Sequence, residues 1–202
     1  MMWLLPLLLA AADTSGSTRN LYLQLIHQAR ADGRPRAAIA YLDDFDRRYP
    51  GDRDARILRV NSLLDLDDLN GAEAAAAALP DGGGSAVRGH LLSARGRWSE
   101  AIAPYQQAVQ ASPADPMLRN ALGFAQLRAG MVAEAAESLR GALDLSPGAA
   151  VIRNNLLLTL KAAGQNAEAD ALLSTVRDGR ERDTLRRQIA TEAARLPAPK
   201  DR

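Results

Sequence analysis

The chain has 202 residues, of which 24% are charged and 4% are aromatic, and its formal net charge is +1. Balanced charge excludes a strong overall field toward nucleic acid, and the scarcity of aromatic residues beside abundant alanine predicts a core of small, closely packed side chains. The sequence contains no cysteine, which excludes disulfides, thiolate metal sites, a cysteine nucleophile and a lipidated N-terminal cysteine.

The first residues form an apolar segment. Trp3 to Leu9 is apolar, three alanines follow, and small polar residues come next. This order predicts a signal peptide over residues 1–12, a mature chain beginning at Asp13 and a short polar linker over residues 13–18. The segment is too short for a stable membrane span. We therefore expect export to a bacterial periplasm; the alternative is a cytoplasmic protein in which these residues belong to an apolar first helix.

One fixed interval between like residues recurs through the middle of the chain. It separates Gly89 from Gly123, and a period of about 34 residues predicts stacked helical hairpins. The other pairs at this interval are Gly96 and Gly130, Glu100 and Glu134, Ala101 and Ala135, Ala108 and Ala142, Ser112 and Ser146, and Pro113 and Pro147.

On these residues, the chain resembles a tetratricopeptide repeat (TPR) protein over residues 19–177. The resemblance implies an all-α fold, a TPR-like α-solenoid of about five helix-turn-helix repeats. It places Gly123 and Ala135 at the crossing of two helices, where only small side chains allow close approach, and it places Gly130 at the turn between them. The repeats begin near Arg19, Arg53, Gly82, Pro116 and Ala150.

Two segments depart from a regular repeat. The second repeat is about five residues short, and the stretch PDGGGS at residues 80–85 carries too much backbone entropy for a predicted helix. We expect it to be a hinge or a local shortening of the next helix. Pro104 lies inside a predicted helix and is expected to bend it.

The C-terminal segment has the pattern of an amphipathic helix. Apolar residues stand at Leu185, Ile189, Ala193 and Leu196. This predicts a capping helix over residues 178–196, which covers the last apolar face of the array, and a disordered tail over residues 197–202. The rival interpretation is a basic helix for a partner or a membrane, but residues 177–202 contain eight basic and five acidic residues, a small surplus.

The sequence offers few groups suited to catalysis. The only two histidines, His27 and His90, are far apart along the chain, and no nucleotide-binding or metalloprotease motif occurs. The acidic stretch at residues 65–73 fails as a calcium loop because Leu69 stands at a ligand position, and we interpret it as a loop between helices. We therefore predict no enzyme activity, no cofactor and no metal; the alternative is an enzyme that uses the two histidines as an acid and a base.

The resemblance further implies that the first helices of the repeats line a concave groove. Asparagine amides there suit the backbone of an extended peptide, and apolar side chains suit its floor. The candidate partner-binding residues are Asn61, His90, Asn120, Phe124, Leu127, Arg128, Asn154, Leu158 and Lys161.

The predicted function is a non-catalytic protein-protein interaction scaffold, with a protein or peptide partner and neither nucleic acid nor a membrane span. The last two repeats, RNALGFAQLRAGMVAEA and IRNNLLLTLKAAGQNAEA, are similar to TPR components of tight-adherence (Flp) pilus systems, which implies a role in pilus or secretion-system assembly. The alternatives are a cytoplasmic TPR adaptor and a regulatory subunit of an enzyme complex.

Overall fold

The computed structural model describes the backbone of residues 6–197 and the side chains of residues 16–197 except residue 81. Every regular element in that range is helical, and the predicted all-α fold is confirmed. Residues 1–5 of the predicted signal peptide and residues 198–202 of the predicted tail lie outside the described residues. The helices are α1 (Pro6–Ala31), α2 (Pro35–Arg48), α3 (Arg53–Leu64), α4 (Leu69–Ala77), α5 (Gly84–Ala94), α6 (Trp98–Ala111), α7 (Pro116–Arg128), α8 (Val132–Leu145), α9 (Ala150–Ala162), α10 (Asn166–Ser174) and α11 (Gly179–Ala193), with a 3-10 turn at Pro80–Gly83.

Contacts divide the chain into two compact units. Unit 1 comprises residues 1–87 and unit 2 comprises residues 88–202, so the boundary falls inside α5. In unit 1, α1 packs with α2 and α3 packs with α4; in unit 2, α7 packs with α8 and α9 packs with α10. Each pair is a helical hairpin, as the recurring interval in the sequence predicts.

One alanine recurs at the same position of every second helix. It is almost completely buried in all five hairpins, as expected for a small side chain between two closely packed helices. Successive members stand one repeat interval apart, except for a shorter step from the second to the third. The five residues are Ala38, Ala72, Ala101, Ala135 and Ala169.

Two glycines on first helices mark even closer contacts. A Cβ atom on Gly123 would lie 2.6 Å from Cγ of Leu139 and 3.2 Å from the backbone oxygen of Ala135. A Cβ atom on Gly89 would lie 2.6 Å from the ring of Tyr105. The structure thus confirms that these glycines lie where the two helices of a hairpin cross.

The turn inside each hairpin contains a residue with positive φ. A glycine takes this position in four hairpins, and Asp67, with φ of 58°, takes it between α3 and α4. A left-handed backbone costs little in glycine and more in a residue with a Cβ atom. The four glycines are Gly33, Gly96, Gly130 and Gly164.

The glycine-rich stretch at residues 80–85 leads into a short α5. Pro80–Gly83 forms a 3-10 turn, and Gly84 and Ser85 begin α5. Gly82, Gly83 and Gly84 have φ of 61°, 82° and 87°, a left-handed backbone that glycine adopts readily and that a right-handed helix does not contain, and this agrees with the expected shortening of the next helix. At 11 residues, α5 is shorter than α7, which has 13.

The predicted capping helix is confirmed. α11 packs against α9, and its buried side chains Leu185 and Ile189 join the core formed by α7 to α10. Its charged residues, such as Arg186 and Arg187, are exposed. Within residues 6–197, no helix combines the length and the apolar character that crossing a membrane requires.

Candidate partner-binding face

The exposed side of α7 is the first part of the candidate face. Leu122, Gly123 and Ala125 are buried, whereas Met117, half-buried Phe124 and exposed Arg128 lie on another side of the helix. Met117 is an apolar side chain with 50% of its surface exposed. Phe124 follows Met117 by seven positions, and Arg128 follows Phe124 by four. These spacings place the three residues on one side of the helix.

α9 repeats this arrangement. Val151 occupies the same repeat position as Met117 and is 48% exposed. Asn154 and Lys161, further along that side, are half-buried, whereas Leu158 is buried in the core. We use the term groove face for the side of α7 and α9 that bears Met117, Phe124, Arg128, Val151 and Asn154.

Two aromatic rings and a guanidinium group meet beside α7. The ring of Phe124 contacts the ring of Trp98 edge-on, with centroids 5.7 Å apart. The guanidinium carbon of Arg128 lies 5.0 Å from the centre of the Trp98 ring, within range of a cation–π interaction. Trp98 begins α6, so this aromatic cluster links α6 to the groove face.

Of the three predicted groove asparagines, Asn120 and Asn154 belong to unit 2, and the structure places them in different surroundings. Asn120 is buried, and its Oδ1 accepts a hydrogen bond of 2.9 Å from Nδ2 of Asn155. This bond joins α7 to α9, because the two side chains come from neighbouring first helices. Asn120 therefore serves packing between repeats, and its amide oxygen is already bonded.

Asn154 lies instead in a cleft between α9 and α11. Its Oδ1 is buried and has no hydrogen-bond partner within the described part of the chain. Polar side chains of α11, among them Arg180, Thr184 and Gln188, line the same cleft. A buried carbonyl oxygen without a donor is costly, and a ligand can reach this atom only if the Asn154 side chain rotates toward the cleft.

His90 lies against a buried tyrosine. Its ring centroid is 5.5 Å from that of Tyr105, whose hydroxyl is 3.2 Å from Oγ of Ser93. Burial raises the pKa of Tyr105 to about 12, although its hydrogen bond with Ser93 acts in the opposite direction. The other histidine, His27, is exposed on α1 and belongs to unit 1, so the two histidines belong to different units.

The remaining predicted partner-binding residues do not lie together on one exposed surface. Leu127 is only 1% exposed and shares the core of unit 2 with Leu158. Nζ of Lys161 donates a hydrogen bond of 2.9 Å to Oδ1 of Asn166 on α10. Asn61 is half-buried on α3 in unit 1, whereas the other eight candidates lie in unit 2.

Sequence reasoning missed Trp98 and Asn155. Both lie outside the repeat positions that the resemblance assigns to a groove, which is why the sequence did not indicate them. One signal was present for Trp98: the other repeats place Pro35, Leu69, Val132 and Asn166 at its position, so an aromatic side chain there is exceptional. Across the side chains that the structure describes, no group of three histidine, aspartate or glutamate residues is suited to hold a metal ion.

Residues 89–130 match the model of the TPR repeat family. Among solved structures, the fold is similar to a thermophilic TPR protein of Thermus thermophilus, with a TM-score of 0.70 and 23% sequence identity. The similarity covers 88% of this chain and 100% of that one. The chain has a TPR fold.

Two further structures share this TPR fold. MamA from Desulfovibrio magneticus gives a TM-score of 0.53 at 19% identity and covers 84% of this chain and 96% of that one. YrrB, described as a TPR protein with an unusual peptide-binding site, gives 0.51 at 17% identity, with coverage of 87% and 91%. No curated protein matches the chain.

Proposed function

We propose that the chain is a non-catalytic scaffold that binds an extended segment of a partner protein on the groove face of unit 2. The observation that carries this proposal is the pair Met117 and Val151, two apolar side chains that are about half exposed at the same position of successive repeats. Contiguous apolar patches on a protein surface typically mark interaction sites, and we propose that Met117 and Val151 belong to one such patch. The TPR fold is consistent with such a role but leaves the partner open.

Each part of the face would contribute a different contact. Met117 and Val151 would cover apolar side chains of the partner, and Asn154, once its side chain rotates toward the surface, would accept a hydrogen bond from a backbone N–H through Oδ1. The aromatic cluster would contribute apolar ring surface through Phe124 and Trp98, and Arg128, which lies over the Trp98 ring, would contribute a positive charge. This combination suits an extended peptide with apolar side chains and an acidic group.

Site-specific cross-linking tests this proposal without knowledge of the partner. A photoreactive phenylalanine analogue replaces Met117 or Val151 in cells that produce the chain, and cross-linked proteins are identified by mass spectrometry. The matched control carries the analogue at Gln106, which is exposed on the second helix α6. We expect the same partner from both groove positions, and a change of Arg128 to Glu should reduce its yield.

The proposal fails if Gln106 gives the same cross-linked proteins as Met117 and Val151, or if neither groove position gives any. The structure also guides the choice of variants. Alanine at Asn120 would break the bond to Asn155, so a loss of binding would not distinguish the groove face from the packing of the repeats.

We also propose that the protein is exported to the periplasm and acts in an envelope assembly such as a pilus or a secretion system. The apolar segment before Asp13 and the similarity of the last two repeats to pilus-assembly TPR components support this role. N-terminal sequencing of the protein from its native cells should give Asp13 as the first residue. A sequence that begins at Met1 in a cytoplasmic fraction would contradict export and favour a cytoplasmic adaptor.

A further inference from the structure

The charged residues of unit 2 are sorted by helix. The first helices α7 and α9 contain four cations and no Asp or Glu, whereas the second helices α8 and α10 contain five acidic residues and one arginine. Because the groove face belongs to first helices, it lies on the basic side of these hairpins. An acidic segment of a partner would be attracted to that side and repelled by the second helices. The cations are Arg119, Arg128, Arg153 and Lys161, and the acidic residues are Glu134, Glu137, Asp144, Glu168 and Asp170.

Arg128 is the cation that belongs to the groove face itself. The cations of α9 are already paired: Nη2 of Arg153 lies 3.5 Å from Oε1 of Glu181, and Nζ of Lys161 lies 3.6 Å from Oδ1 of Asp170. Arg128, in contrast, is exposed and pairs with no carboxylate among the side chains that the structure describes. Its guanidinium group can therefore donate charge-assisted hydrogen bonds to a ligand.

Trp98 holds this guanidinium group in place. The guanidinium carbon of Arg128 lies 5.0 Å from the centre of the Trp98 ring, and that ring contacts Phe124 edge-on. Arginine presents its N–H donors in a planar fork that matches the two oxygens of a carboxylate. A side chain that is already positioned loses less conformational entropy when a ligand binds. Arg128 is thus positioned in advance for a carboxylate.

The pairing of Arg128 with Trp98 occurs in one repeat only. No other repeat has a cation at the position of Arg128 or an aromatic residue at the position of Trp98. The helical hairpin itself therefore does not require either residue, and a pair confined to one repeat is better explained by a specific contact. The residues at the position of Arg128 in the other repeats are Ala31, Asp65, Ala94 and Ala162.

The length of α7 sets a spacing for the partner. Met117 and Arg128 lie near opposite ends of the helix and eleven positions apart. At about 1.5 Å per residue, this separation is about 16 Å along the helix axis. An extended peptide advances about 3.3 Å per residue, so about five of its residues span the same distance.

We propose that Arg128 selects the partner: the segment bound on the groove face carries an aspartate or glutamate about five residues from the apolar side chain that contacts Met117. This inference rests on the proposed function and adds the charge of the partner and the position of that charge. A nucleic acid fits less well, because binding a chain of phosphates requires several cations along its path. The five residues that define the groove face include a single cation.

Selection from a random peptide library displayed on phage tests this proposal. The library is selected on the immobilised full chain and on its Arg128→Glu variant. We expect the wild type to enrich Asp or Glu about five residues from an apolar residue. Arg128→Glu should enrich Lys or Arg at that place, because the sign of the receptor charge is reversed. Arg187→Glu is the matched control, since it makes the same charge change at an exposed position of α11 and should enrich the wild-type peptides.

Synthetic peptides from the enriched set measure the contact directly by fluorescence anisotropy. Arg128→Gln in the chain, or exchange of the peptide's carboxylate for its amide, should each raise the Kd about fivefold, the upper range for an exposed ion pair. The two changes together should raise the Kd no further than either one alone, because both remove the same contact. Circular dichroism checks that each variant retains its helices.

The results separate the role of Arg128 from the role of the groove face. Peptides that require Met117 but show no acidic preference, or that Arg128→Glu enriches equally, would overturn the role of Arg128 and leave the scaffold proposal intact. Additive losses in the anisotropy measurements would also overturn it, because the carboxylate would then contact another cation.

Two further results would overturn more than the role of Arg128. If no peptide is enriched, or if Met117→Asp enriches the same peptides as the wild type, both the selection by Arg128 and the binding of a segment on the groove face are wrong. A single-stranded oligonucleotide that displaces the peptides from the wild type and fails to bind Arg128→Gln would replace the protein partner by a nucleic acid.

Discussion

Asp67 occupies a position that glycine holds in the other hairpin turns. Its φ of 58° is positive, and it is the only residue other than glycine with positive φ in residues 6–197. We expect Asp67→Gly to raise the free energy of unfolding by about 1 kcal/mol, because glycine adopts this backbone without strain. Urea denaturation measures the change.

Gly33 provides the reverse control for Asp67. It has φ of 68°, and a Cβ atom added there would meet no atom within 4 Å, so Gly33→Ala introduces backbone strain alone. Its free energy of unfolding should fall by about 1 kcal/mol. If both variants leave stability unchanged, the turns do not require a left-handed residue.

The two groove asparagines should respond differently to truncation. Asn120→Ala removes the acceptor of the 2.9 Å bond from Asn155 and should lower the free energy of unfolding by about 1–3 kcal/mol. Asn154→Ala removes a buried oxygen that has no partner among the described groups, so stability should stay unchanged or rise. Thermal unfolding of both variants checks this contrast. If both variants lost the same free energy of unfolding, the Asn154 side chain would have to make a hydrogen bond comparable to that of Asn120.

The sequence indicated where these asparagines lie along the repeat but not what they bond to. Repeat register assigns a residue to a side of a helix, and Met117 and Val151, which stand one repeat interval apart, are exposed to a similar degree. The bond between Asn120 and Asn155 depends on how neighbouring first helices approach each other, which single-sequence spacing does not specify.

At the scale of single helices, Pro104 is the clearest local conflict. α6 continues through it from Trp98 to Ala111, although proline lacks the N–H that would bond to the carbonyl of Glu100. We expect Pro104→Ala to raise the free energy of unfolding by about 1–3 kcal/mol. Ala103→Gly, at an exposed neighbouring position, should lower it by about 1 kcal/mol. A loss of stability in Pro104→Ala would mean that packing of the proline ring outweighs the missing bond.

The helices themselves were largely predictable because their ends depend on local residues. Pro35 and Pro116 begin helices, and Gly130 and Gly164 follow the ends of others, as the physical preferences of proline and glycine require. Residues 80–85 were the exception. Three consecutive glycines allow many conformations, and in the one adopted a Cβ atom on Gly83 would lie 2.9 Å from Cδ1 of Leu79 and 3.0 Å from Cβ of Val87, which no local rule predicts.

At the scale of the whole molecule, we expect a destabilising change in one repeat to act mainly on that repeat and its neighbours. Contacts in a repeat array run mainly between neighbouring helices, so a weakened repeat affects its neighbours first. Leu139→Ala removes a fully buried side chain of α8 and should cost about 2–5 kcal/mol. We expect faster amide hydrogen exchange in α7, α8 and α9 and unchanged exchange in α1 and α2.

Leu145→Ala is the control for Leu139→Ala, since Leu145 is exposed on the same helix and should have little effect on exchange. Uniform acceleration from α1 to α11 after Leu139→Ala would show that the two compact units unfold as one cooperative structure. Exchange measured by mass spectrometry resolves the helices separately.

The fold was predictable at this scale because the same interval recurs at many positions, so each hairpin supports the assignment of the others. The partner was not predictable. The side chains on the groove face, such as Phe124 and Arg128, are compatible with many peptides, and the same fold supports many unrelated interactions.

The column of buried alanines has a consequence for how such a protein can change in evolution. In each hairpin, the second helix carries the same small buried side chain, which is Ala101, Ala135 or Ala169 in the last three hairpins. A duplicated gene segment that spans one repeat would therefore encode a module whose internal fit is already established. Such a protein can grow or shrink by whole modules, whereas a change of a few residues inside one module requires a local adjustment, such as the short turn at Pro80–Gly83 between Ala72 and Ala101.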